Sequence, residues 1–481
     1  MFTYVLALVT IISFQLSDQQ TSTSAGLKVG ISYNGLNYAA NRAIDRLTGE
    51  LVNKRINDAD GRNGDFKYEI SNILIKDFHR PTTSVSLNAD SSTLTWSLGN
   101  GKLSIDFNWH YEYKKNRFIR FSDSGRASVY ASNVRISVNV KFGYDANTGR
   151  PNIYTTNCDC DVGDLDLDFH GNNGWLYNLL AGAIKSPLKK EVLKELCHAA
   201  KKAIDEDGNK ELSTLDTNVS LEKKLYLDYR LTANPAITSN SVEFSGAGCV
   251  FFPENKDCPS SHPPMSVDLS TKMLTAVVSE ESISSYLKAM FLSNQMELNI
   301  KKNSFEDSEG DFLDANCVAG FCFARLMHKL ARSMPNSSFE ILYRVSEAPI
   351  VHVYNGRMWS NISSNGFIKT RFPNNTVVDL FSISLTTLIN ITLTHNNDDV
   401  IGFKISNLKS NVTFDDSIDA DVKTGVNFGI TVVAKFAKKN VNKIGQKGLP
   451  LPKIHGIVWE NSEISFKDRF IAIQSDVRYV M

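Results

Sequence analysis

The chain has 481 residues, 42% of them hydrophobic and 22% charged, too many for one ordinary core, so two domains of similar size are expected. Lysine plus arginine equals aspartate plus glutamate, 52 against 52, which leaves no overall field to draw the chain onto nucleic acid or an acidic membrane. Electrostatic recognition must come from a local patch.

The opening MFTYVLALVTIISFQLSDQQ holds an apolar run from Tyr4 to Phe14 with polar residues from Gln15 onward. That run is too short to span a bilayer and suits a signal peptide, although no lysine or arginine precedes it. Residues 1–25 are read as a signal peptide with a disordered start, the other reading being a buried N-terminal strand. Export agrees with Asn-x-Ser/Thr patterns at Asn218, Asn336, Asn361, Asn374, Asn390 and Asn411, expected as glycosylation sites. No later stretch reaches roughly 18 consecutive apolar residues, so no spanning helix is expected.

A strand-like run at Leu27–Tyr33 is followed by Leu36, Ala40, Ile44, Leu47 and Leu51, one face of a helix. Alternation then takes over: Leu103, Ile105, Phe107 and Trp109, and later Val134, Ile136, Val138, Val140 and Phe142, mark strands with one apolar face. Gly99-Asn100 and Asn147-Thr148-Gly149 are expected turns. Asp164, Asp166 and Asp168 alternate with Leu165, Leu167 and Phe169, which reads as a solvated acidic face since no glycine-centred calcium loop accompanies them. From Gly174 the pattern is helical through Leu180, Ile184, Leu188, Val192, Leu196 and Ile204, with Pro187 expected to kink or divide it.

Near residue 250 the composition shifts. FFPENKDCPSSHPPMSVDL holds four of the 13 prolines and reads as a stiff connector over residues 251–270 between domains at 26–250 and 271–481. Beyond it a helix near Glu280–Gln295, alternating segments at Phe339–Val345 and Val377–Thr394, and a second helix near Val422–Ile444 repeat the order helix, strands, helix.

Seven cysteines suit disulfides better than zinc, since no CxxC or HxxxH pair is present and no metal site is expected. Spacing pairs Cys249 with Cys258, Cys317 with Cys322, and Cys197 with Cys158 or Cys160, leaving one thiol of the doublet free. GxSxG, HExxH, a P-loop and a Rossmann glycine fingerprint are absent. His170, His198 and His328 are scattered and receive no role. A β-rich hydrolase whose catalytic residues lack a local motif is the competing class, and turnover of an ester or glycoside would establish it.

Several segments, in order, resemble one family. The opening GLKVGISYNGLNYA, the series Cys158, Gly174-Trp175-Leu176 and Cys197, the proline-rich connector, and Lys447-Gly448-Leu449-Pro450-Leu451-Pro452 after the last helix are similar to the family of bactericidal/permeability-increasing protein, lipopolysaccharide-binding protein and the plasma phospholipid and cholesteryl ester transfer proteins. The resemblance runs from about residue 26 to the C-terminus. It implies an α+β fold: a boomerang of two barrel-like domains, each a twisted antiparallel sheet with two long helices, joined by a central sheet. It implies two apolar pockets for phospholipid acyl chains and no enzyme activity or cofactor beyond bound lipid, and it favours Cys158 as the partner of Cys197. The acidic Asp161–Asp168 stretch departs from the cationic bactericidal members.

Candidate pocket residues are Ile31, Leu36, Tyr38 and Ala40 on the first strand and helix, and Trp175, Leu176, Leu180 and Ile184 on the second helix; ordinary core packing is the alternative for each. Lys114, Lys115, Arg117 and Arg120, interleaved with Tyr113 and Phe118, sit at an expected hairpin tip where the family carries a basic hairpin that engages lipopolysaccharide phosphates, and Lys54 and Arg55 are expected to add to it. The leading expectation is a secreted carrier of phospholipids or other acyl lipids that transiently visits membrane or lipoprotein surfaces. The alternative is an innate-immune, antibacterial lipopolysaccharide binder acting through that hairpin.

Overall fold

A computed structural model describes residues 25–116, 118–169, 174–221, 224–305, 307–316, 327–354, 356–397, 400–447, 449–450 and 457–479, with Cys322 and Arg325. The expected signal segment, Arg117, His170 and Cys317 lie outside the described residues, as do the side chains of Trp175 and Leu176.

Strand β1 (Leu27–Ser32) runs into helix α1 (Tyr33–Leu51). Ser32 caps the helix: its Oγ accepts from the Gly35 N–H at 3.2 Å, satisfying a donor that has no partner within the first turn. Seven antiparallel strands follow: β2 (Ala59–Asn63), β3 (Phe66–His79), β4 (Thr82–Asn88), β5 (Thr93–Lys114), β6 (Arg120–Tyr144), β7 (Pro151–Asp161) and β8 (Leu165–Phe169). Their spatial order is β2-β3-β5-β6-β7, with β4 also on β5 and β8 also on β6. Helix α2 (Gly174–Lys202) packs against β7.

One local expectation fails here and another is narrowed. Gly99-Asn100 is not a turn. β5 passes straight through it with a register irregularity and a positive φ of 56° at Asn100, and there β5 changes neighbours, from β4 along Thr93–Gly99 to β3 along Lys102–Tyr113. The glycine and asparagine serve a bulge within a long strand. Nor does Pro187 divide α2, which is continuous across it. The Asn147–Gly149 turn is present, with Gly149 at φ 68°.

Short strands β9 (Asn218–Ser220), β10 (Tyr226–Asp228), β11 (Ala236–Ile237), β12 (Ser241–Gly246) and β13 (Cys249–Phe251) lead to the connector. The second half comprises β14 (Leu274–Ser279), α3 (Glu280–Leu292), β15 (Glu297–Ile300), β16 (Ser338–Val345), β17 (Ile350–Tyr354), β18 (Arg357–Arg371), β19 (Val377–Asn397), β20 (Val400–Thr413), α4 (Ala420–Lys447), β21 (Leu449–Pro450), β22 (Ile457–Phe466) and β23 (Phe470–Tyr479). Its own sheet has the order β15-β16-β18-β19-β20-β21, with β17 beside β18.

A third, six-stranded sheet joins the halves in the order β11-β12-β1-β14-β23-β22. Its strands come from both halves of the chain, and β1 is hydrogen-bonded to β12 on one edge and β14 on the other. The chain is therefore an α+β protein of two sheet-and-helix halves around a shared sheet. The connector is pinned at both ends: Cys249 is disulfide-bonded to Cys258, and His262 is buried against β14.

Candidate functional site

The inner face of the first sheet is apolar because alternate residues of its strands point one way. Leu94, Trp96, Leu98, Leu103, Ile105, Phe107, Trp109 and Tyr111 of β5, and Val129, Val134, Ile136, Val138 and Val140 of β6, are all buried. Helices α1 and α2 close over this face. Ile31, Leu36 and Ala40 from the first strand and helix, and Leu180 and Ile184 from α2, join the same continuous apolar cluster. Tyr38 differs: it is half-buried against the cluster, and its hydroxyl accepts from the Tyr479 N–H on β23 at 2.8 Å. Its polar end thus binds the first half to the last strand of the chain.

The basic hairpin is real. Lys114 and Arg120 are paired across β5 and β6, and Lys114, Lys115 and Arg120 are exposed. Asn116 shapes the tip: its Oδ1 accepts from the N–H groups of Phe118 and Ile119, both at 2.9 Å, while the Lys115 N–H donates to the Ile119 carbonyl at 3.1 Å. This turn holds Phe118 out in solvent, 91% exposed, beside the exposed Ile119 and Phe121. Lys54 and Arg55 do not belong to this patch. They lie beside Ile73–Ile75, well along β3 from its hairpin end at Phe66, and Lys54 is paired with Glu195 of α2 at 2.6 Å.

Beneath the hairpin lies an aromatic group that sequence reasoning passed over. Trp109 stacks on Tyr111 at 5.7 Å and meets Phe169 and Tyr177 edge-on at 5.9 and 5.6 Å; Tyr111 stacks on Phe66 at 5.3 Å, and Tyr113 on Phe121 at 6.4 Å. The signal was the alternation of Trp109, Tyr111 and Tyr113 along one face of β5. The Trp109 indole N–H is buried and meets no acceptor among the described residues.

Asp166 and Asp168 of β8, and Asp164 just before it, are exposed to solvent. Cys197 is disulfide-bonded to Cys158, with Cα atoms 5.9 Å apart, and Cys160 is free. Cys322 is also disulfide-bonded. The sulfurs of Cys158, Cys160 and Cys197 lie within 4.8 Å of one another, but two of them share a bond and offer no thiolate to a metal. Of the sequon asparagines, Asn218, Asn336, Asn361, Asn374 and Asn411 are exposed and Asn390 is half-buried. Among the described residues, no helix is long and apolar enough to cross a membrane.

The first half thus joins an apolar interior closed by helices to an exposed basic hairpin. The family model described as "LBP / BPI / CETP family, N-terminal domain" matches residues 35–215, and the corresponding C-terminal domain matches 219–479. This chain belongs to that family. It is 23% identical to the bactericidal permeability-increasing protein of Sebastes schlegelii, over 98% of each chain. It is 24% identical to the lipopolysaccharide-binding protein of Mus musculus, over 97% of this chain and 96% of that one. A crystal structure of lipopolysaccharide binding protein superposes with a TM-score of 0.63 at 20% identity, covering 95% of this chain and 100% of that one. The family is one of lipid-binding and lipid-transfer proteins, not of enzymes.

Proposed function

We propose that this chain is a secreted binder of lipopolysaccharide-class lipids, with acyl chains taken into the apolar interior and phosphates met at the β5–β6 hairpin. One observation carries the reading: Lys114, Lys115 and Arg120 share a tip with Phe118, which is held 91% exposed by a turn built for it. A cation cluster alone would suit many anions. A cation cluster around a projecting aromatic suits an interface where phosphates border hydrocarbon.

Burial supplies most of the affinity in this reading. Each enclosed methylene contributes roughly 0.8 kcal/mol, so a 16-carbon chain gains on the order of 10 kcal/mol gross. Each exposed lysine–phosphate contact adds only about 0.2–1 kcal/mol. The interior sets affinity; the hairpin selects the head group. Ile31, Leu36, Ala40, Leu180 and Ile184 are the proposed acyl-contacting residues.

The second reading, carriage of phospholipid, is favoured by the charge balance of the whole chain and by the acidic outer face of β8. The Lys114→Ala/Lys115→Ala/Arg120→Ala variant separates the two. Recognition predicts at least a tenfold loss of lipopolysaccharide affinity with phospholipid extraction unchanged. Equal lipopolysaccharide binding by both proteins would rule out the hairpin as the head-group site. Mass spectrometry of organic extracts from natively purified protein then names the acyl lipid held.

A further inference from the structure

We propose that Cys158, Cys160 and Cys197 form a thiol–disulfide interchange site, in which the partner of Cys197 alternates between Cys158 and Cys160. The two β7 cysteines stand two residues apart, opposite Val138 and Ile136 of β6, so their side chains leave the same face of the strand. Helix α2 covers that face and brings Cys197 to it. In the pairing observed, Cys158 holds Cys197, and the free Cys160 sulfur waits 3.8 Å from Cys158 Sγ. All three sulfurs lie within 4.8 Å of one another. A spectator thiol would need no such placement; a resolving thiol does.

The step balances without any added oxidant or reductant. The Cys160 thiol loses its proton, and its sulfur attacks Cys197 Sγ. A Cys160–Cys197 bond forms as the Cys158–Cys197 bond breaks, and Cys158 leaves as a thiolate that takes up a proton. One disulfide and one thiol exist before and after. Burial, with Asp159 adding to it, pushes the Cys160 thiol up to about 12. Its thiolate is therefore scarce at neutral pH, and the exchange is slow there and quickens about tenfold per pH unit. The swap moves the tether of α2 two residues along β7, about 7 Å, toward the end of the strand where Lys189 of α2 contacts Asp161 and the Val162 carbonyl. Because α2 carries Leu180 and Ile184 into the apolar cluster, the two pairings set two positions of the helix over the interior.

The test uses the full chain with no added thiol, held at about pH 5 and at about pH 9, then quenched in acid, denatured and labelled with a maleimide. Cleavage before Asp159 separates the two β7 cysteines for mass spectrometry. Interchange predicts label on Cys160 alone at the lower pH, and on both Cys158 and Cys160 at the higher pH, with both cross-linked peptides to Cys197 present. Label confined to Cys160 at both pH values overturns the proposal, as does label on Cys197, which would mean that the helix is released. A second measurement stands apart from the kinetics: purified Cys158→Ser should carry a Cys160–Cys197 disulfide. Two free thiols in that variant overturn the proposal.

Discussion

The imidazole Nδ1 of His262 lies 2.8 Å from the hydroxyl of Ser279. That hydroxyl also caps α3 by accepting from the Ser282 N–H at 3.1 Å, and the Ser282 hydroxyl donates to the Gly26 carbonyl at 2.9 Å. Three segments far apart in the chain, the connector, α3 and the entry to β1, therefore meet in one buried polar chain. Space is tight: a Cβ at Gly26 would stand 2.0 Å from Ser282 Oγ and 2.7 Å from the Ala247 carbonyl oxygen.

His262 should give the protein an acid-sensitive component of stability. Burial pushes its imidazole down from 6.5 to about 4, so the unfolded chain takes up a proton that the folded chain refuses. The contribution is complete above pH 6.5 and is lost as pH falls toward 4, about 3 kcal/mol in all. Denaturant midpoints measured across that window should fall less steeply for His262→Gln than for the wild type. Parallel curves would refute the assignment.

Asp228 holds β10 to the connector. It is 1% exposed, accepts from Arg230 Nη2 at 2.6 Å and from Lys256 Nζ at 2.9 Å. Burial would raise its carboxyl, but the hydrogen bonds from Arg230 and Lys256 outweigh that and keep it below the usual range. Asp228→Asn strands two cations at a buried acceptor and should cost about 2–3 kcal/mol in equilibrium unfolding. Lys256→Met leaves the Arg230 fork in place and should cost less than half as much.

Trp109 combines heavy burial with an N–H that no acceptor among the described residues meets. Trp109→Phe loses some packing but also removes the unsatisfied donor, so the two effects should nearly cancel, to within about 1 kcal/mol. Trp109→Ala loses both packing and filling and should cost about 3–5 kcal/mol. If Phe is as damaging as Ala in thermal or chemical unfolding, the indole N–H is hydrogen-bonded in the folded protein and the prediction fails.

Phe118 should govern attachment to lipid surfaces without touching the fold. Phe118→Ser is expected to leave the unfolding midpoint within about 0.5 kcal/mol of wild type. Vesicle co-sedimentation, by contrast, should weaken about ten- to a hundredfold, since roughly 1.5–3 kcal/mol of aromatic burial is forfeited. Unchanged co-sedimentation would remove Phe118 from the interface.

Much of this was legible in the residues because period-two and period-3.6 patterns report which face is buried. The strands at Leu103–Trp109 and Val134–Phe142 and the helices after Tyr33 and Gly174 follow directly from it. What stayed hidden depends on partners distant in sequence. Gly99-Asn100 looks like a turn locally and is a bulge only because β4 and β3 divide β5 between them. Lys54 is taken out of the basic patch by Glu195, which no local pattern reveals. Same-face spacing makes Cys158 and Cys160 equivalent candidates for Cys197; the family resemblance favours Cys158, and that is the pairing α2 makes. Ile31, Leu36, Ala40, Leu180 and Ile184 were readable as buried, but Tyr38, whose hydroxyl meets the backbone of β23, was readable only as amphipathic.

The position of β1 in the shared sheet governs how this molecule can be made and cut. Its Leu27–Ile31 backbone is matched to β14, a strand synthesised long after β1 itself has left the ribosome. Until then one side of β1 stays open, a bare ladder able to recruit a second copy or a chaperone. A fragment stopped before Leu274 keeps that open side permanently, so such fragments should associate edge to edge along β1, a contact the intact chain closes with its own β14.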